Sequence, residues 1–404
     1  MSAGWKTKPL GELCQVIGGG TPSKANTGFY SGNIPWATVR DMRSEIISET
    51  EFKITTEAVK KSSTNIIPAN NVVIATRVGL GKVCMIGQDT AINQDLRGII
   101  PNDTNSLSVR FLYAWLKSVA HLIVGEGTGA TVQGVKLPFI KSLQVPIPPI
   151  PEQQRIVGIL DEAFEGIAKA KANTEKALQK ARALFESYLQ SVFENKGEGW
   201  EKKTLKQIST IFGRGKSKHR PRNYDGLYGG EYPFIQTGDI RNSNHFITAY
   251  TQTYNEVGLA QSKLWPAGTI CITIAANIAE TGVLTFDACF PDSVIGIIVN
   301  EKIADRGFVE YLLQSFKARI VALGKGAAQA NINMGTFENE LFPFPSLKIQ
   351  QIIVQKLDAL SEETKKLEVI FKQKLTSLDN LKKSLLHQAF NGELNHKLQE
   401  LEEI

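Results

Sequence analysis

The longest regular pattern along the chain is a heptad. Ile156, Leu160, Ala163, Ile167, Ala170, Thr174, Ala177, Ala181, Leu184 and Tyr188 follow one another in alternating steps of four and three. That spacing lays an apolar seam along a helix that pairs with another helix. No proline breaks the stretch from Glu152 to about Asn195. Adding 197 gives a second seam: Ile353, Leu357, Leu360, Thr364, Leu367, Phe371, Lys374, Leu378, Leu381 and Leu385. Thr364 and Lys374 alone fit it poorly. The small residues Ala163, Ala170, Ala177 and Ala181 meet large ones if the two helices pack together. Antiparallel packing is expected, because a whole globule separates them in sequence. Outside the seams the period shortens. "NVVIAT" (71–76) and "GTICITIA" (268–275) read as buried strands, and 110–124 and 305–323 read as one amphipathic helix each.

The second seam belongs to a longer repeat. "VPIPPIPEQQRIVGILDEA" (145–163) returns as "FPFPSLKIQQIIVQKLDAL" (342–360), pairing Gln153 with Gln350 and Asp161 with Asp358. "NIPWATVRDMR" (33–43) pairs with "EYPFIQTGDIR" (231–241), and "DLRGIIP" (95–101) with "SVIGIIV" (293–299). A repeat of this length is a statement about architecture. The expected fold class is two tandem α/β (α+β) domains with two long helices forming an antiparallel coiled coil, related by pseudo-two-fold symmetry. The parts are residues 1–150, a first domain; 151–196, a first long helix; 197–346, a second domain; and 347–404, a second long helix and tail. The prolines disfavour helix and predict an extended exit from each globule, with Glu152 in the first helical turn, where its charge suits the helix dipole.

Charge changes this picture in one place. The chain of 404 residues carries a net +6. Residues 200–225 hold eight Lys or Arg and two acids, so the excess is concentrated there. A local positive field points to a polyanion. Cys14, Cys84, Cys271 and Cys289 show no CxxC spacing, which predicts buried thiols in a reducing compartment. With no apolar span of membrane length and no signal core in "MSAGWKTKPLGELC", the expectation is a cytoplasmic protein.

Catalytic signatures fail when tried. "GRGKS" (213–217) lacks the glycine a P-loop needs at position 210, where Thr210 stands. "GEGTGA" (125–130) opens no helix. Pro148 and Pro149 are flanked by Ile147 and Ile150, without the amide or carboxylate of an amino-methyltransferase. The five histidines have no metal spacing. A binding role without catalysis and without a metal is expected.

Two different globules, each followed by a proline-marked junction and a long helix, resemble the specificity (S) subunit of type I restriction–modification enzymes. "VPIPPIPEQQRIVGILDEAF" and "LLHQAFNGEL" (385–394) carry the likeness, which runs over the whole chain. The second junction, "SLKIQQ", lacks the Pro-x-x-Glu-Gln of the first. The resemblance implies a non-catalytic subunit. Its two target-recognition domains read the halves of a bipartite, asymmetric duplex DNA target. Its helices set the spacing and dock two methyltransferase (M) subunits, with restriction (R) subunits completing the complex. No cofactor is then expected on this chain; S-adenosylmethionine, ATP and Mg are implied for the partners. Basic loops with a coiled-coil arm also suit an RNA-binding scaffold.

Candidate contacts follow from residue chemistry. Arg214, Lys216, Lys218, Arg220 and Arg222 form a basic loop with no acid between them, suited to phosphates. Lys24 and Lys136 are cations of the first half in flexible, glycine-containing segments. Arg40 and Arg77 suit guanine; Gln133, Gln329, Asn331 and Asn333 carry amides that suit adenine edges. The expected interhelix seam centres on Ile156, Leu160, Ile167, Leu184, Ile353, Leu357, Leu367 and Leu381.

Overall fold

A computed structural model of the protein describes residues 5–127, 134–219, 224–243, 245–275, 277–324, 334–391 and 393, without the side chains of 322–324 and 336. The chain divides into two compact units, Met1–Glu175 with Lys372–Ile404, and Lys176–Phe371. Each unit therefore owns one globule and part of both long helices, which run over Ile150–Glu194 and Leu347–Asn391.

Both globules follow one plan. In the first, a five-stranded sheet has the order Cys14–Gly18, Leu96–Pro101, Val72–Ala75, Val83–Ile86, Ile46–Ile47. Its pairings are antiparallel except the last. A four-stranded sheet has the order Phe52–Ile54, Ile34–Ala37, Thr90–Ile92, Asn65–Ile67. Lys6–Pro9 pairs with Gln144–Ile147. The second globule repeats all three sheets with Ser209–Arg214, Val294–Val299, Ile270–Thr273, Thr281–Leu284 and Phe246–Ile247; with Gln252–Tyr254, Tyr228–Phe234, Ala288–Cys289 and Leu264–Trp265; and with Glu201–Lys203 on Phe342–Phe344. The runs Val72–Ala75 and Ile270–Thr273 are buried at every residue, as strands covered on both faces should be. All four cysteines are buried and free. Burial pushes the Cys14 thiol up to about 12.

The amphipathic helix of each globule is two helices rather than one: Val109–Ser118 then Ala120–Gly125, and Arg306–Ser315 then Lys317–Gly324. At each break a serine hydroxyl donates back to a carbonyl three residues earlier, Ser118 to Trp115 and Ser315 to Leu312. Such back-bonding competes with continued helix.

The proline junctions also differ from a plain extended rod. Pro146 and Pro343 lie inside paired strands, and Pro151 sits in the first helical turn beside Glu152, where a missing N–H costs nothing. The repeated glutamine is a clamp. Gln153 is fully buried; its Oε1 accepts from Ser108 N and its Nε2 donates to the carbonyls of Ser106 and Pro148. Gln350 does the same with Asp305 N and the carbonyls of Ile303 and Pro345. One amide thus ties the start of each long helix to the start of the helix beneath it, satisfying otherwise orphaned backbone groups.

Within each unit the long helices run antiparallel. In the first, Lys171 Nζ is 2.7 Å from Asp379, and Lys382 lies over the ring of Phe164. In the second, Arg182 meets Glu368, and Leu189 and Leu357 share one core cluster. Ile156, Leu160, Ile167 and Leu357 are buried and Ile353 is partly so. Leu184, Leu367 and Leu381 are not seam residues: they are 62%, 41% and 47% exposed. Beyond Ala181 the buried stripe passes to Phe185, Leu189 and Phe193. A straight helix has 3.6 residues per turn and drifts about 20° per heptad against a 3.5 repeat. Over a helix of 45 residues the stripe therefore shifts by about one position, and the heptad extrapolates to the wrong neighbour.

Candidate nucleic-acid interface

Each unit holds a cleft beside its four-stranded sheet. The registers show that the two clefts occupy the same place in the fold. Trp36 pairs with Phe52 on one side and Ala91 on the other; Phe234 pairs with Gln252 and Cys289. Thr38 and Asp41 close a capping box after one strand, and Gln236 and Asp239 close one after its counterpart. Asp95 O accepts from Thr76 N, and Ser293 O from Ile274 N.

The first cleft has a volume of about 690 Å³. Its floor is aromatic: Trp36 meets Tyr30 and Phe52 edge-on at 5.9 and 6.3 Å, and Trp36 Nε1 donates to Gly20 O. Polar groups rise from it. Thr21 donates to Gln94 Oε1, and Asn93 Nδ2 donates to Asp95 at 2.9 Å. Gly19 and Gly20 of the preceding loop serve this packing, because a Cβ on Gly19 would stand 2.2 Å from Asn93 O and one on Gly20 2.3 Å from Ser63 Oγ. The second cleft, about 610 Å³, keeps an aromatic floor in Phe234 and Tyr228, with the buried Tyr254 stacked behind Phe234, but Gln236 and Gln252 bond to each other where Thr38 and Phe52 stand in the first.

Among the described residues, cations line the first cleft and only neighbour the second, where Ser217 of the wall lies between Lys216 and Lys218. Lys24 and Arg40 line the first cleft, and Arg40 reaches Glu51 at 3.6 Å. Arg77 lies 3.8 Å from Asp95. Lys136 precedes the short helix Leu137–Ser142; Val135 N donates to Thr76 O, holding this segment beside Arg77. In the second unit Arg214 Nε donates to Asp292 O at 2.7 Å, Lys218 N donates to Gln261, and the Lys216 carbonyl accepts from Ser262. Gln133, Arg220, Arg222, Gln329, Asn331 and Asn333 lie outside the described residues.

Two cations escaped the sequence reading. Arg97 is half-buried; burial first, then the neighbouring Arg77, lowers its pKa from the ordinary guanidinium value, with Asp95 opposing. Lys263 lies 3.5 Å from the Trp265 ring centroid, and burial together with Lys216 lowers its pKa. The available signal for Arg97 was a lone cation in a strand that otherwise reads as core. Aromatic floors, amides and cations in an open groove form the chemistry that grips a phosphate backbone and reads base edges.

Comparison with known proteins agrees. Residues 2–179 and 197–376 each match the family model described as type I restriction modification DNA specificity domain. The specificity subunit of type I restriction enzyme EcoR124I/EcoR124II from Escherichia coli is 39% identical over 39% of this chain and 40% of its own length. The MjaIX specificity subunit of Methanocaldococcus jannaschii is 25% identical over 96% of this chain and 93% of its own. In fold, the chain resembles a solved type I R-M structure (TM-score 0.78, 18% identity, 97% of this chain and 99% of that one) and the HsdS subunit of Thermoanaerobacter tengcongensis (TM-score 0.62, 18% identity, 97% and 98%).

Proposed function

The chain belongs to the type I restriction–modification DNA specificity family, and from that premise we propose that each unit reads one part of a split, asymmetric duplex target while the long helices fix the interval between the parts. One observation carries the reading: the family matches twice, once over each cleft-bearing globule. The RNA-scaffold alternative is set aside, since the matched family is one of DNA specificity.

The chain is the recognition subunit and not the catalyst. On this reading two methyltransferase subunits dock on the helices, bring S-adenosylmethionine and modify adenine, which must leave the stack to be reached. Restriction subunits use ATP and Mg. The work falls in the cytoplasm. The functional parts are residues 1–150 and 197–346 as readers and 151–196 and 347–404 as spacers. Arg214, Lys216 and Lys218 hold phosphates; Lys24, Arg40, Arg77 and Lys136 serve the first half-site.

Footprinting of the chain assembled with its methyltransferase subunits tests this. Two protected patches with an open interval are expected. Deleting one heptad from each long helix shortens each by about 10 Å, so the interval should shrink by about three base pairs while both half-sequences stay the same. A single continuous patch would overturn the reading.

A further inference from the structure

The two units place one guanidinium at the same point by different routes. In the first, Gly18 and Arg97 face each other across neighbouring strands. In the second, the equivalent facing pair is Arg214 and Ile295. The arginine has changed strands. Its destination has not. Arg97 Nη1 donates to the carbonyl of Gln94 at 3.2 Å and of Leu96 at 3.0 Å. Arg214 Nε donates to the carbonyl of Asp292 at 2.7 Å. Gln94 and Asp292 are equivalent, each preceding the residue whose carbonyl closes the same strand-end contact, Asp95 with Thr76 and Ser293 with Ile274. Gly18 lies under the Arg97 side chain: a Cβ built on it would stand 3.4 Å from Nη1, at ordinary van der Waals contact.

Surrounding positions do not keep their chemistry. Phe52 is matched by Gln252, Thr38 by Gln236 and Asp95 by Ser293. An asymmetric target presents different bases to the two units but the same sugar–phosphate chain. A feature held constant while its neighbours vary therefore suits what the half-sites share. A guanidinium has five N–H donors in a fixed fork, and one backbone anchor orients it with donors remaining for a phosphate.

We propose that Arg97 and Arg214 are matched phosphate contacts, one per half-site, each orienting its unit on the backbone while the variable cleft positions read sequence. This rests on the DNA-reading function above. It adds Arg97, which lies in a core strand, and pairs it with Arg214 from the basic loop.

The test is duplex binding by the complete methyltransferase complex over a range of salt concentrations, for wild type, Arg97→Ala, Arg214→Ala and the double variant, with methylated sites mapped in parallel. Each lost phosphate contact should lower the slope of log K against log salt by about 0.9, and by about twice that in the double variant. The methylated sequence should be unchanged, and Arg97→Lys should retain most of the slope if Arg97→Ala fails to fold. A relaxed base preference in one half-site with an unchanged slope would make the arginine a base reader and overturn the assignment. A lowered Tm with slope and sequence both unchanged would make it a brace and equally overturn it. Failure of the wild-type complex to bind any split duplex would instead sink the function on which the proposal rests.

Discussion

The two units keep the same interhelix ionic contact and reverse its sign. Lys171 corresponds to Glu368 and Arg182 to Asp379, each at a shift of 197. In the first unit the pair is Lys171 with Asp379; in the second it is Glu368 with Arg182, bidentate at 2.9 and 3.0 Å. At the edge strand the helix-side partner moves instead: Lys117 corresponds to Gln314 and Glu310 to Tyr113, each at a shift of 197. Glu45, just before the edge strand Ile46–Ile47, faces Lys117 at 3.1 Å, whereas His245, just before Phe246–Ile247, faces Glu310 at 2.6 Å. Duplication thus preserved the geometry of the interhelix contact but not which side carries the acid, and at the edge strand it kept only the strand-side position. The consequence is selective. A first long helix packed antiparallel on a copy of itself in this register would set Lys171 against Arg182, and a second on its copy would set Glu368 against Asp379. Only the mixed pair is complementary, which is how charged flanking positions choose partners in coiled coils.

Burial separates the two versions most. The Glu310 side chain is fully buried and engages His245, Thr281 at 2.7 Å and Gln314 at 2.6 Å. Its histidine stacks on Tyr311, whose hydroxyl donates to Asp358 on the second long helix. Glu45 has a side chain 60% exposed. Removing one partner of a buried pair leaves the other uncompensated and costs about 3–5 kcal/mol, against about 1 kcal/mol or less at an exposed pair. Denaturant unfolding of Glu310→Ala and Glu45→Ala should show that gap. Equal losses would mean that the two edge-strand contacts are energetically interchangeable, and the comparison would be broken.

Much of this architecture was legible, and the parts that were not share a cause. Strands such as Val72–Ala75 and the long helices announced themselves because local periodicity suffices to define them. The duplicated Gln153 and Gln350 were visible as a repeat, but their clamp partners lie 45 residues away in sequence, where no local pattern reaches. Leu184, Leu367 and Leu381 were misplaced because a 3.5 period was carried across too many turns. Arg97 was hidden because its strand reads as core. The sign reversal was present in the sequence, but Lys171 meets Asp379 only once the antiparallel register is known. Asp161 and Asp358 repeat in sequence yet take different partners, Arg110 and Tyr311, so a shared residue did not mean a shared bond.

The interhelix pairs give a smaller effect and a sharper test of partner choice. Arg182→Glu puts two acids together in the second unit and should cost under about 1 kcal/mol, because the pair is largely solvated. Adding Glu368→Arg should restore the lost Tm. Lys171→Glu with Asp379→Lys should behave likewise in the first unit. The four-fold exchange reverses both units and should return a chain close to wild type in Tm. A four-fold variant less stable than either double variant would show that the sign itself, rather than complementarity, matters.

The weakest expected effect concerns pH in the first unit. Burial works to raise the Glu45 carboxyl, but Lys117, Lys382 and Arg110 together outweigh it and hold the pKa below the ordinary glutamate value. A group whose folded pKa is lowered contributes stability above its unfolded pKa, about 4.3, and loses it as pH falls through the folded value. Wild type should therefore exceed Glu45→Gln in stability at neutral pH by well under about 1 kcal/mol, since the group is largely exposed and screened. The difference should close below about pH 4 and stay closed on further acidification. Should the difference instead persist unchanged at low pH, Glu45 would be acting through packing or hydrogen bonding, and the polarity of the first unit's contact would carry no electrostatic weight.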